Sequence, residues 1–430
     1  MSFPFLVILV PVSFGFMGFA LDLGRLYLIR GELNQAANAM ALAAAAQLNG
    51  TVAALGNATT AAQQSLDDSN GFANKYNFGG LPIGQTTGNL TSTVNPPAYF
   101  DTLANALSGS GNQADGTTAR HAQISITADA PLLFWSFLSV AQSRKTSVAA
   151  MATAGISAPV CTACGIAPFA VAPLDPTDSI NFGFGDPSAG QLFTLAFSCS
   201  GTPAPTPLPG TGQVIRYVII NRYDSGNATL DETQQLYRDG AGGLLASADP
   251  NPTGSAVPLA CVGINDASET IWAGATPVAC SAAAPVSVVE ALCGLYSRFD
   301  NASTPGNCAT DITDFADLSA QFLPDTDVTT GQADLYTAYT GNGRRVITVP
   351  IVNTLAANAS ATMLVLGFRQ FFLEPNLDGT FFNPTDPNGR FVVEYIGNPA
   401  PVTQGYVDDR FQLGCPAPVA SGPGKVVLHQ

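Results

Sequence analysis

Lysine is almost missing from this chain: Lys75, Lys145 and Lys425 are the only three in 430 residues. Charged residues of both signs make up 11% of the sequence, against about a quarter in ordinary soluble domains. The net charge is -15 and no Lys/Arg cluster occurs. Nucleic acid is therefore excluded as a partner, and so is electrostatic docking on anionic lipid headgroups, because both need basic groups in number. Disorder driven by charge is excluded as well, since 46% of the residues are hydrophobic. Histidine is as scarce, with His121 and His429 alone.

That scarcity reaches the chemistry. Cys161-x-x-Cys164 lacks the second pair, or the histidines, that would complete a zinc site. There is no G-x-S-x-G elbow, H-E-x-x-H, P-loop or dinucleotide-binding glycine pattern. His121 finds no nucleophile to serve as general base, and Asp67/Asp68 and Asp408/Asp409 read as solvated turns. Residues 375–390 carry Asp378, Asn383, Asp386 and Asn388, oxygen ligands of the kind calcium takes, but without EF-hand spacing. They read as Asx turns. No catalytic residue, cofactor or metal site is expected, and the chain is not expected to be an enzyme.

Cysteine, by contrast, is present and unevenly placed. Cys161, Cys164, Cys199, Cys261, Cys280, Cys293, Cys308 and Cys415 all lie in the last two thirds of the chain. An even number in an uncharged, Gly/Thr/Asn-rich background predicts disulfides and an extracytoplasmic body, with the pairing left open. Six Asn-x-Ser/Thr sequons, at Asn49, Asn57, Asn89, Asn227, Asn301 and Asn358, are candidate glycosylation points.

The longest feature is at the start. Residues 1–21 hold no charge, about the length that crosses a bilayer core. Pro11, Gly15 and Gly18 are tolerable in a helix packed in lipid or against other helices. Asp22 and Arg25 follow at a spacing that shares one helix face, and an alanine-rich stretch continues the helix over 5–48 until Gly50 and Gly56 stop it. Positive-inside bias would put the body in the cytoplasm, whereas the cysteines put it outside. A cleaved basic leader before residue 1 resolves the conflict.

The segment FLVILVPVSFGFMGFALDLGRLYLIRGELNQAANAMALAAAAQL resembles the opening of TadE/TadG-like proteins of tight-adherence (Flp) pilus systems. The resemblance rests on Gly18, Ala20, Asp22, Gly24, Arg25, Tyr27, Leu33, Ala36, Ala37, Asn38 and Ala39. Weaker likenesses to large TadG-like ectodomains lie at 122–156, read as strand, helix, strand, and at 343–354, 363–373 and 391–397. The resemblance implies export, insertion in the inner membrane and work with a pilus assembly machinery. It also brings a contrast: type IV pilins carry a glutamate near the mature N-terminus, and here the first acid is Asp22. A buried Asp22 would need a partner, either Arg25 or the Met1 amine of a neighbouring subunit.

The fold class predicted is α+β: a long pilin-like helix, then a β-rich, disulfide-stapled extracellular region. Strands are predicted at 123–128, 213–221, 345–352, 361–373 and 390–397, with 57–120 mostly helix remnant and loops. The Pro/Thr/Gly stretch 200–212 is a linker or a long surface loop. Domain boundaries are drawn at 1–50, 51–160 and 161–430, the last as one or two subdomains. The function expected is a structural subunit of an extracellular filament, self-associating through bundled N-terminal helices. The alternative is a membrane-anchored accessory protein or adhesin of the same system.

Overall fold

Nothing in residues 3–45 interrupts helical backbone hydrogen bonding except Pro11, and the apolar and alanine runs fold as one helix, α1 (Phe3–Ala45). Its 43 residues reach ~64 Å at about 1.5 Å each. Gly50, at φ 84°, takes a left-handed backbone that side chains resist, and the chain turns there into α2 (Ala54–Leu66). Gly56 ends nothing; it lies inside α2. This computed structural model describes residues 3–66, 77–109, 114–134, 145–219, scattered positions between 261 and 299, 335–355, 362–401 and 422–429, with short breaks inside several of these ranges.

The chain divides into two compact units, residues 1–156 with 426–430, and 157–425. The first contains α1, α2 and α3 (Leu103–Ser108), the hairpin β1 (Asn77–Phe78) and β2 (Leu81–Pro82), and a six-stranded sheet. That sheet runs β18 (Val426–His429), β7 (Lys145–Ile156), β6 (His121–Pro131), β4 (Leu90–Val94) and β3 (Thr86–Thr87), with β5 (Ala98–Phe100) also paired to β6. So 57–120 contains strands as well as helix. β6 alternates faces as a half-buried strand must: Ala122, Ile124, Ile126, Ala128 and Ala130 are buried and the residues between them only partly so. β6 and β7 pair antiparallel from His121↔Gly155 to Pro131↔Lys145. The stem of α1 packs on these two strands, with Ile29, Leu33, Ala36, Ala37, Met40, Ala41, Ala44 and Ala45 buried.

The second unit is built around a closed barrel of six strands. Outside the barrel, β8 (Thr162–Cys164) pairs with β12 (Cys261–Gly263) and β13 (Ile271–Trp272) with β15 (Thr362–Met363). The barrel order is β10 (Leu192–Phe197), β11 (Val214–Ile219), β9 (Phe169–Val171), β14 (Val346–Val352), β16 (Val365–Glu374) and β17 (Phe391–Ile396). β10 and β11 are parallel neighbours, which no tight turn can join. The Pro/Thr/Gly stretch supplies the return, and it is a pinned loop, not a linker between domains. Leu208 donates its N–H to the Thr194 hydroxyl (2.8 Å), Gly212 to the Leu192 carbonyl (2.9 Å), and the Arg390 guanidinium to the Thr206 carbonyl (2.9 Å). Aromatic rings fill the interior, Phe184 meeting Phe371 edge-on at 5.3 Å and Tyr217 meeting Phe391 at 5.6 Å between centroids. At one edge the buried Arg345 donates to Glu374 (2.9 Å) and to the Leu373 carbonyl, and lies over the Phe372 ring.

Cys199 and Cys280 form a disulfide that spans 81 positions. Cys161 is disulfide-bonded too, and among the described residues no cysteine is free. Cys164 and Cys261 face each other as backbone partners across β8 and β12. Cys293, Cys308 and Cys415 lie outside the described residues. The architecture is thus α+β, a long apolar helix followed by a β-rich region containing disulfides.

Candidate functional site

The first half of α1 presents large apolar side chains to solvent. Val7, Leu9, Val10, Val12, Phe14, Phe16, Met17, Phe19 and Leu21 are all exposed, Phe16 by 72%. Successive helical residues point about 100° apart, so Phe14, Phe16, Met17 and Phe19 spread over most of the circumference and leave one face, that of Pro11, Gly15, Gly18 and Asp22, without large exposed side chains. The helix is long and apolar enough to cross a membrane. Pro11 sits among these residues without breaking the helix; two residues further on, the Ser13 hydroxyl donates to the Leu9 carbonyl at 2.9 Å.

The two glycines of this half differ. A side chain added at Gly15 would meet nothing within 4 Å. One added at Gly18 would lie 2.7 Å from the Cβ of Phe134, so Gly18 is a seat for that residue. Four residues on, Asp22 is 5% exposed and accepts a hydrogen bond from the Phe134 backbone N–H at 3.0 Å. Arg25, next on the same face, reaches the Pro131 carbonyl at 3.4 Å. Gly18, Asp22 and Arg25 thus gather where β6 ends, at Pro131 and, just beyond it, Phe134. Gly15 and Pro11 stand apart from it. The sequence pointed to all five of these residues for helix assembly but not to Phe134. Phe134 is 112 positions from Asp22, and no local pattern announces such a contact.

Other candidates have structural employment. Asp386 accepts from the Arg390 guanidinium (2.8 Å) and from the Asn388 backbone N–H (2.8 Å), which is the Asx-turn arrangement with an ion pair added. Among the described residues no cluster of three or more metal-ligating side chains occurs. Asp67, Asp68, Asp378, Asp408 and Asp409 lie outside the described residues. His121 opens β6 and His429 ends β18, on opposite sides of β7, with ring centroids 5.4 Å apart. Burial first, then His429 and Arg120, push His121 down to about 4.

The sequons differ in display. At Asn49 the side-chain oxygen accepts from both the N–H and the hydroxyl of Thr51, which is fully buried. Asn57 is exposed on α2, while Thr59 is engaged with the Leu55 carbonyl and the Tyr99 hydroxyl. Asn89, Asn227, Asn301 and Asn358 lie outside the described residues.

Residues 1–47, which take in all of α1, match the family described as putative Flp pilus-assembly TadE/G-like. This helix is similar to the start of that family. No curated protein and no solved structure matches the chain. The TadE/G-like match ends at the alanine stem, so the strands of the first unit and the whole barrel unit have no counterpart among these comparisons.

Proposed function

We propose that the chain is a membrane-anchored component of a Flp-type pilus system, with the first half of α1 in lipid and both units displayed on the outer side. One observation carries the reading: large exposed apolar side chains cover the first half of α1 on all but the Pro11, Gly15 and Gly18 face. Residues 3–21 reach ~28 Å at about 1.5 Å each, close to the ~30 Å of a bilayer core. Lipid accepts so broad an apolar surface, and the stripe of small residues by which helices pack on one another in a membrane is here partly occupied. The small residue best placed for close approach, Gly18, already holds Phe134 of its own chain. Disulfides in the second unit favour an oxidising compartment.

The test is fractionation of the native host. The anchored reading expects the protein in the membrane pellet after alkaline carbonate washing and absent from sheared surface filaments. Release by carbonate, with no filament fraction, overturns it. A second reading, a filament subunit bundled through α1, draws on the clear access at Gly15, and recovery in sheared filaments would establish it in place of the first.

A further inference from the structure

The end of β6 runs toward the apolar end of α1. After Pro131 the chain passes Leu132 and reaches Phe134, whose backbone N–H is held by Asp22 and whose side chain sits on Gly18. Gly18 is one helical turn, ~6 Å, beyond Asp22 toward the N-terminus. It belongs to the uncharged run 1–21. Phe134 therefore stands level with the part of α1 assigned to lipid, yet it is 45% exposed. The amide held by Asp22 and the carbonyl reached by Arg25 lie at the border where charge begins. Backbone groups taken toward hydrocarbon need such partners. The sequence continues in kind: residues 132–140 read LLFWSFLSV, and Arg144 and Lys145 follow.

We infer that Phe134 is a second point of membrane insertion, an apolar wedge that enters the outer leaflet beside α1 and is held at fixed depth by Asp22 and Arg25. The occupant of the Phe134 surface is then lipid at the level where headgroups meet acyl chains, the depth at which aromatic side chains settle. The inference rests on the anchored reading above. Its consequence is that α1 cannot rotate or slide in the bilayer independently of the sheet, because Gly18 and Asp22 hold Phe134 while Arg25 reaches Pro131, the last residue of β6.

Trp135, joined to Phe134 by a peptide bond, is a native reporter, and Trp272 is the only other tryptophan. The full chain carrying Trp272→Phe is reconstituted in phosphatidylcholine vesicles whose acyl chains are brominated near the headgroup or near the bilayer centre. Trp135 is expected to lose about half its emission with the shallow bromines and little with the deep ones, as an interfacial aromatic should. Phe134→Asp, a change at an exposed position, is expected to abolish that quenching. A separate chain with Trp135→Phe, Trp272→Phe and Phe14→Trp reports on α1 and should be quenched by the deep bromines. Deep quenching of that α1 reporter with an unquenched Trp135 overturns the wedge and leaves the anchor standing. If neither reporter is quenched, the anchored reading fails and the wedge with it. A blue-shifted but unquenched Trp135 means that a second copy of the chain covers Phe134, which also overturns the proposal.

Discussion

The core of the first unit, which joins α1 to α2 and the sheet, holds Ala36, Ala37, Ala41, Ala44 and Ala45 of the helix with Ala122, Ala128, Ala130, Ala150, Ala152 and Ala154 of the strands. Inside the barrel of the second unit, the buried side chains are Phe169, Phe184, Phe193, Phe197, Tyr217, Phe371, Phe391 and Tyr395. An alanine methyl removes little apolar surface from water, at about 0.8 kcal/mol for a CH₂-sized group, but it orders no rotatable side chain. Many such contacts along a long helix add up, provided that helix and sheet approach closely. A ring buries several times more area and gains from edge-to-face neighbours. The first interface is therefore sensitive to any added bulk, and the second to any lost bulk. A stem that must hold one position against its sheet is better served by the first arrangement. A free-standing domain is served by the second.

The comparison breaks most visibly by emptying the barrel. Phe371 is fully buried between Phe184 and Tyr395, and Phe371→Ala is expected to destabilise the second unit by ~3–5 kcal/mol. Urea unfolding followed by near-ultraviolet circular dichroism, where these rings report, measures it. In the first unit the damaging change runs the other way. Ala41→Leu, at a position with no exposed surface, should cost ~1–3 kcal/mol by overpacking, read as faster hydrogen exchange along α1 and β7. Gly155→Ala tests the same closeness at another point, because its methyl would collide with the His121 ring. An unchanged exchange rate in both variants would show that the alanine interface has slack.

A pH effect sharpens the contrast, because both histidines lie in the first unit. His121 is held down to about 4 in the fold, against ~6.5 when free. A depressed histidine binds its proton more weakly folded than unfolded. Its stabilisation is complete above about pH 6.5 and is lost as pH falls toward 4. Acidification should loosen the β18–β7–β6 edge before it touches the barrel, seen as exchange at 426–429. His121→Gln should remove most of that pH dependence. The smallest effect is at the surface: Thr102 caps α3 by accepting the Asn105 N–H. Thr102→Ala should cost ~1 kcal/mol, detectable as local fraying of α3 with the global unfolding midpoint nearly unmoved.

Sequence reading went furthest where the pattern is local. The uncharged run and alanine run led to a single helix, and the β-branched stretches led to β6, β11, β14, β16 and β17 within a few residues. β10 (LFTLAF) was overlooked, because it is buried on both faces and so shows no alternation. β4 and β5 sit in a Thr/Asn/Pro background that imitates loop. Tertiary contact supplied what composition could not at the site. A buried Asp22 was expected to need Arg25 or the Met1 amine of a neighbouring subunit, whereas its hydrogen bond from the Phe134 N–H spans 112 positions and leaves no local trace. The pairing of His121 with His429 likewise joins residues 308 positions apart, since 429 − 121 = 308.

β18 gives this connectivity a mechanical and temporal meaning. The sheet that carries the stem of α1 receives one of its strands only after the entire barrel unit has been synthesised, with Val426 pairing to Ile156. The barrel unit is thus an insert whose two ends leave side by side: the Ser157 N–H donates to the Lys425 carbonyl at 2.7 Å, and the Lys425 N–H returns to the Ser157 hydroxyl at 2.9 Å. Tension applied to the insert is shared between two strands of one sheet, β7 and β18, pulled from the same end. A chain that stops anywhere within the insert would leave the sheet short of a strand, so the first unit itself registers whether the barrel unit was finished.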